Sequence, residues 1–222
     1  MTQEYTIERM GEEAEPLVII DDFSPDPDRL FAVATERAYA RKGPHYPGVR
    51  AGADPAYLGA RMEVLQDVLT HVFGLAAGAD LVECAFSVVT TPPGALTPIQ
   101  RIPHFDSTDP KRLALLHYLC DGSAGGTAFY RHRATGFEKI TAARHGPYTA
   151  ALQGEAADLP GAGYIAGTTT MFEEVGRVSA AWNRMAIYRG CRLHSGVIPD
   201  GLTLSEDPRK GRLTVNTFLQ GR

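Results

Sequence analysis

With 222 residues, 44% of them hydrophobic, the chain can bury a full core and is too apolar to stay disordered. Its formal charge of −4, from 22 basic and 26 acidic residues without a Lys/Arg cluster, argues against nucleic-acid or membrane-surface binding as the main task. No apolar run approaches the roughly 20 residues of a spanning helix, and the polar, acidic stretch 1–15 resembles neither a secretory signal nor a transit peptide, so a cytoplasmic location is expected.

In chain order, residues 17–20 form a short apolar run that reads as a strand. The turn and cap residues of 21–27 then open a helix expected over 27–40. Residues 41–56 are rich in Gly and Pro and read as a loop, long enough to serve as a lid. Leu58, Met62, Leu65, Val68, Leu69 and Val72 recur at helical spacing, which predicts a second helix over 56–73. From residue 81 the texture changes to short β-branched and aromatic runs at 81–90, 101–105, 112–120, 127–131, 168–175, 184–188, 193–198 and 212–219. Turn signals lie between most of them. The Ala-rich stretch 140–158, interrupted at Gly146-Pro147, reads as a helical insertion. The expected class is α+β, with helices supporting an all-β sandwich, jelly roll or barrel. Cys84, Cys120 and Cys191 are odd in number and widely spaced. They read as small core residues rather than as a disulfide framework or a zinc knuckle.

Three pieces carry chemistry. In Pro103-His104-Phe105-Asp106 an extended backbone would put His104 and Asp106 on one side, where imidazole and carboxylate could hold adjacent corners of a metal. A surface His beside an acid is the plain alternative. His194 lies far down the chain in Leu193-His194-Ser195-Gly196. Two His and one carboxylate leave coordination positions open, as non-haem Fe(II) requires, whereas a structural zinc site is filled. In 212–219, alternation places Arg212, Thr214, Asn216 and Phe218 on one face. An inward Arg needs a partner, and a ligand carboxylate bound through both of its oxygens would supply one. A surface Arg or a structural ion pair is the competing reading.

The motifs Pro103-His104-Phe105-Asp106, 112–119, Gly125-Gly126-Thr127-Ala128-Phe129-Tyr130, His194-Ser195-Gly196 and Gly211-Arg212, in that order, resemble the iron(II)/2-oxoglutarate-dependent dioxygenases of the prolyl-4-hydroxylase-like branch. The opening 18–25 is similar to the start of many such domains. The resemblance implies one domain over 1–222 with a double-stranded β-helix (jelly-roll) core at about 81–220. It also implies N-terminal helical support at about 17–75 and an insertion at about 137–163. By position it assigns His104, Asp106 and His194 to the metal and Arg212, with Asn216 and Tyr118 near it, to 2-oxoglutarate. The expected activity is hydroxylation of a small-molecule or peptidyl substrate with release of succinate and CO2, by a chain that could pair as a homodimer. A cupin-like non-oxidative metalloenzyme and a non-catalytic jelly-roll binding domain are the alternatives. Two features depart from the family pattern. Arg212 follows His194 by more than the usual interval of about ten positions, which leaves Arg209 and Lys210 as rivals. Arg101 and Gln100 stand where many relatives carry a Tyr ahead of the first His.

Among the remaining histidines, His117 reads as a hydrogen-bonded core residue. His132 reads as an exposed loop residue or, less simply, as one near the substrate. His45, His71 and His145 are expected to play no catalytic part, and Trp182 is expected to pack.

Overall fold

The computed structural model describes residues 5–155 and 161–222; residues 156–160, in the expected insertion, lie outside them. The chain starts with a hairpin, β1 (Thr6–Met10) and β2 (Glu15–Ile20). It continues through α1 (Pro27–Thr35), β3 (Gly48–Gly52), α2 (Met62–Asp67), β4 (Ala79–Val89), β5 (Arg112–Tyr118) and β6 (Gly126–His132). It ends with α3 (Ala142–Gly154), β7 (Phe172–Ser179), β8 (Arg184–Arg189), β9 (His194–Val197) and β10 (Leu213–Gly221). The strands form a seven-stranded sheet, β1-β2-β8-β5-β10-β4-β3, and a three-stranded sheet, β7-β6-β9. Neighbouring strands run antiparallel in both.

Alternation decides what each face of the large sheet meets. Val49, Ala51, Phe86, Val88, Leu213 and Val215 pack with Ala34 of α1. The residues between them (Arg50, Ser87, Thr214, Asn216) therefore point the other way, towards the small sheet. Further along, Leu113, Leu115, Met185 and Ile187 bury against the helical segment that carries Leu58, Leu65, Val68 and Leu69. That segment is a 3₁₀ turn over Pro55–Arg61, then α2, then a π turn over Val68–Val72. Between the sheets, Ala114, Leu116, Tyr118 and Tyr188 meet Phe129 and Val178. Fully burying each large side chain contributes about 1.5–3 kcal/mol, so the two faces of the large sheet account for most of the core.

Several expectations need correction. The first helix stops at Thr35, and Ala40 instead bridges to Arg50, because β3 occupies the stretch read as loop and pairs with β4. β1 went unread because Thr6–Arg9 is an exposed edge whose side chains carry no burial pattern. Its turn needs Gly11, at φ +71°, where a Cβ would overlap the Glu138 carboxylate. The run 101–105 is not a strand; a 3₁₀ turn over Pro98–Arg101 precedes a single bridge at His104. The run 168–175 shifts to Phe172–Ser179. α3 passes unbroken through Pro147, because the Ala143 carbonyl that Pro147 cannot bond lies at an exposed residue and can be hydrated. Cys191 is buried, whereas Cys84 and Cys120 are only partly so. No helix among the described residues is long and apolar enough to cross a membrane.

One buried polar knot locks the first helix to the sheet. Asn183, at φ +62°, accepts from the Ser24 amide (2.8 Å) and from His117 Nε2 (3.0 Å), and donates to the Ser24 carbonyl (2.9 Å). His117 is fully buried, stacked on Tyr57 and edge-on to Phe23. Burial pushes its imidazole down to about 4, opposed by its hydrogen bond to Asn183. Asn183→Ala strands these partners and should cost about 2–4 kcal/mol in denaturant unfolding. The unfolded chain protonates this imidazole near 6.5 and the folded chain only near 4, so stability should fall as pH drops from about 6.5 towards 4. The part of that slope due to His117 should disappear in His117→Gln.

Candidate metal centre and its cavity

His104 and His194 reach each other through backbone. The His104 amide donates to the His194 carbonyl and the His194 amide to the His104 carbonyl, both at 2.9 Å. This reciprocal pair brings the imidazole centroids to 4.3 Å. Two residues on, the Asp106 amide donates to the Gly190 carbonyl at 2.7 Å, which holds the carboxylate beside both rings. Asp106 Oδ1 is 3.8 Å from His104 Nε2, and its Oδ2 is 3.6 Å from His194 Nε2. One donor atom from each of the three residues lies within 4.8 Å of the others. Gly190 permits this approach: a Cβ there would sit 3.3 Å from Asp106 Cβ and 3.2 Å from Arg112 Cγ.

The electrostatics suit cation binding. His194 Nδ1 donates to the Arg192 carbonyl at 2.9 Å, which leaves Nε2 with its lone pair towards Asp106. The surrounding protein pushes the His104 ring down to about 4, and His194 adds to this against the pull of Asp106. Burial takes His194 itself down to about 4, although its hydrogen bond to Arg192 opposes the shift. Burial raises the Asp106 carboxyl against the charges of His104, Arg50 and Arg112. Metal bonds of about 2.0–2.2 Å put adjacent donors roughly 3 Å apart, so the observed spacing is close to that of a filled site.

The three residues open onto a cavity of about 700 Å³ between the two sheets, with Arg212 in its wall. Arg212 is 4% exposed; its Nε donates to the Ala124 carbonyl (3.1 Å) and its Nη2 to the Gly126 carbonyl (2.8 Å). Among the described residues no carboxylate lies within ion-pair distance of it. Thr214, Asn216 and Phe218 share its face and line the same cavity. The Asn216 side-chain oxygen accepts from Thr214 Oγ1 at 2.8 Å. Tyr118 differs from expectation: its hydroxyl bonds Thr127 Oγ1 at 2.7 Å, and the ring lies behind Arg212 (5.5 Å to Cζ), outside the cavity lining. Arg209 and Lys210 are exposed, with Arg209 turned to Asp207. Arg101 donates back to the Leu96 carbonyl, while Gln100 lines the cavity and donates to the carbonyls of Pro44 and His45.

Other placements depart from the sequence reading. His132 is fully buried, between Glu155 Oε2 (2.7 Å) and Thr135 Oγ1 (2.9 Å), beneath Tyr148 and Phe172, so it is neither a loop residue nor at the site. His45 and His145, assigned no part, both face the cavity, as do Tyr46 and Arg50. No local pattern marks these residues, because they arrive from the 41–56 stretch and from α3. Trp182 is 40% exposed, edge-on to Phe31. In the metal-free protein the buried ring of His194 should remain neutral until the pH falls to about 4. Histidine ring-proton shifts would show this, and titration of that ring near 6.5 would contradict its burial.

A family model described as a family of unknown function, DUF6445, matches residues 1–219. No curated protein matches the sequence. Among solved structures the chain is similar to a prolyl-4-hydroxylase from Pseudomonas putida, at 16% identity and TM-score 0.46, over 95% of each chain. It is also similar to HygX from Streptomyces hygroscopicus, solved with nickel and 2-oxoglutarate, at 11% identity and TM-score 0.49, over 94% of this chain and 84% of that one. A third is the non-heme, alpha-ketoglutarate-dependent epimerase SnoN of nogalamycin biosynthesis, at 15% identity and TM-score 0.46, over 93% and 78%. Likeness at this level assigns no chemistry to the present chain, whose own residues must carry it.

Proposed function

We propose that this chain, which belongs to the DUF6445 family, is an iron(II)- and 2-oxoglutarate-dependent oxygenase. The observation that carries the reading is one cavity holding three converging donors and a buried arginine that has no carboxylate partner among the described residues. Two neutral imidazoles and one carboxylate on one side of a coordination sphere leave positions open for a cosubstrate and dioxygen, the donor set that suits non-haem Fe(II). In this reading the facing sheets are the two halves of a double-stranded β-helix, one domain over 1–222.

His104, Asp106 and His194 would hold the iron. Iron(II) with 2-oxoglutarate supplies the oxidising chemistry: 2-oxoglutarate and dioxygen are converted to succinate and CO2 as a substrate C–H bond is hydroxylated. Arg212 anchors the far carboxylate of 2-oxoglutarate. Two of its nitrogens are tied to backbone carbonyls, so the guanidinium is oriented in advance and loses little freedom on binding. Tyr118 acts from behind, bracing Arg212 with its ring rather than touching the cosubstrate. Asn216 and Thr214, hydrogen-bonded to each other, offer a polar strip beside the anchor. Phe218, Tyr188 and Leu116 shield the centre from bulk water. A cavity of about 700 Å³ falls in the range of small-molecule sites, which favours a small molecule over a polypeptide.

Anaerobic addition of Fe(II) and then 2-oxoglutarate should produce a visible charge-transfer band that neither produces alone. His194→Ala should abolish metal binding. Arg212→Ala should weaken 2-oxoglutarate by about tenfold or more while leaving metal affinity within about twofold, read by calorimetry on the nickel-loaded protein. Metal binding without 2-oxoglutarate binding would indicate the non-oxidative metalloenzyme. Absence of both would indicate a binding domain.

A further inference from the structure

We propose that Arg50 is the substrate's anchor, and that the substrate is a small monocarboxylic acid with an apolar or aromatic body and no cationic group. This rests on the oxygenase reading for the word substrate, but not for the binding site itself. Arg50 sits mid-strand in β3, opposite Ser87, which in turn lies opposite Thr214 of β10. It therefore shares the inner face with Arg212, two strands away, or about 10 Å across the sheet. The two arginines thus stand on separate strands of one face, two residues out of register, and are placed to serve two different anions.

The Arg50 guanidinium is poised for a ligand. It lies over the Tyr46 ring at 4.4 Å and makes no hydrogen bond within the described residues. Its Nε is buried without a hydrogen-bond partner among the described residues. The nearest carboxylate, Glu83, is 3.8 Å away, beyond hydrogen-bond reach, and already bonds Lys42. A half-buried arginine, 17% exposed, held flat on an aromatic ring and lacking an acceptor, presents its remaining donors in the fork that fits one carboxylate. Arg50 lines the same cavity as His104 and Asp106, so an acid held there lies in the chamber of the proposed iron.

The rest of the lining sets the body of the substrate. Ile99, Phe105, Tyr148, Leu152 and Ile198 provide apolar wall. Asp106 is the one carboxylate among the described lining residues, and the proposed metal would engage it. An ammonium or guanidinium in the ligand would therefore be desolvated without a counter-charge, which disfavours amines and basic side chains.

The test uses the nickel-loaded protein with saturating 2-oxoglutarate and a panel of aliphatic and aryl monocarboxylic acids. Each acid is matched with its primary amide and with the amine of the same skeleton, and binding is read by ligand-observed NMR. Acids should bind, with amides and amines about tenfold weaker or worse. Arg50→Gln should remove that preference while 2-oxoglutarate affinity changes by less than about twofold, and Arg50→Lys should restore part of it. Glu83→Gln should leave acid binding unchanged or tighter; if Arg50 serves only a salt link to Glu83, neither variant at 50 changes acid binding. The proposal is overturned if no acid outbinds its amide. It is equally overturned if Arg50→Gln binds acids like the wild type, or weakens 2-oxoglutarate as much as Arg212→Ala does. Repeating the panel without metal or cosubstrate separates the two readings. Discrimination that depends on Arg50 and persists there supports the anchor even if no succinate is ever formed.

Discussion

A reciprocal pair of backbone hydrogen bonds between His104 and His194 is the constraint on which the site depends. Neither residue belongs to a long paired segment at that point; the bridge is isolated on the His104 side and sits at the first residue of β9 on the other. Because both bonds are made by backbone, the two rings are held together whatever their protonation. The side chains remain free to present nitrogen lone pairs. The same stretch then gives the Asp106 amide to Gly190, at the turn after β8, so a third segment fixes the carboxylate. Three pieces of chain meet at one point with only glycine-sized clearance.

Behind that point lies a second layer that governs orientation. The Arg192 carbonyl sets the tautomer of His194, while the Arg192 guanidinium is 1% exposed and lies 4.2 Å from the Phe129 ring centroid. Its charge is balanced at a distance by Glu15 and Glu138, with burial driving its pKa down. Glu138 is itself held by Arg131 and by the amides of Glu12 and Glu13 in the β1–β2 turn. The N-terminal hairpin is thus tied, through buried charge, to the segment that carries His194. Removing one member of such a network leaves an uncompensated charge, the costly direction for buried pairs.

The cavity has a consistent electrostatic character. Its described lining contains two arginines, several histidines and tyrosines, and one carboxylate. Burial lowers the pKa of His194, and that of His104 is lowered with it, while Arg50 and Arg212 are the arginines of that lining. Two arginines against one carboxylate give the described lining a positive bias away from the three metal-type donors.

What the chain reveals on its own is what a short window contains. Strict alternation over 212–219 was enough to put Arg212, Thr214, Asn216 and Phe218 on one face, because side-chain direction in a strand is local. Helical spacing likewise located the segment that covers the outer face of the large sheet, and the apolar neighbours of His117 marked it as a core residue. Tertiary structure decided the rest. β3 is short and Gly-flanked, and becomes a strand only because β4 offers it an edge; with it come Arg50 and the wall of the cavity. The side-by-side placement of His104 and Asp106 comes not from a strand but from bonds to two distant segments. His132 is buried by α3, which follows it in the chain, and Tyr118 is drawn to Thr127 across the sheets. In each case the deciding partner lies on another element of the fold. A residue's type and phase can be read locally, but the partner that satisfies or buries it is chosen only when the chain closes on itself.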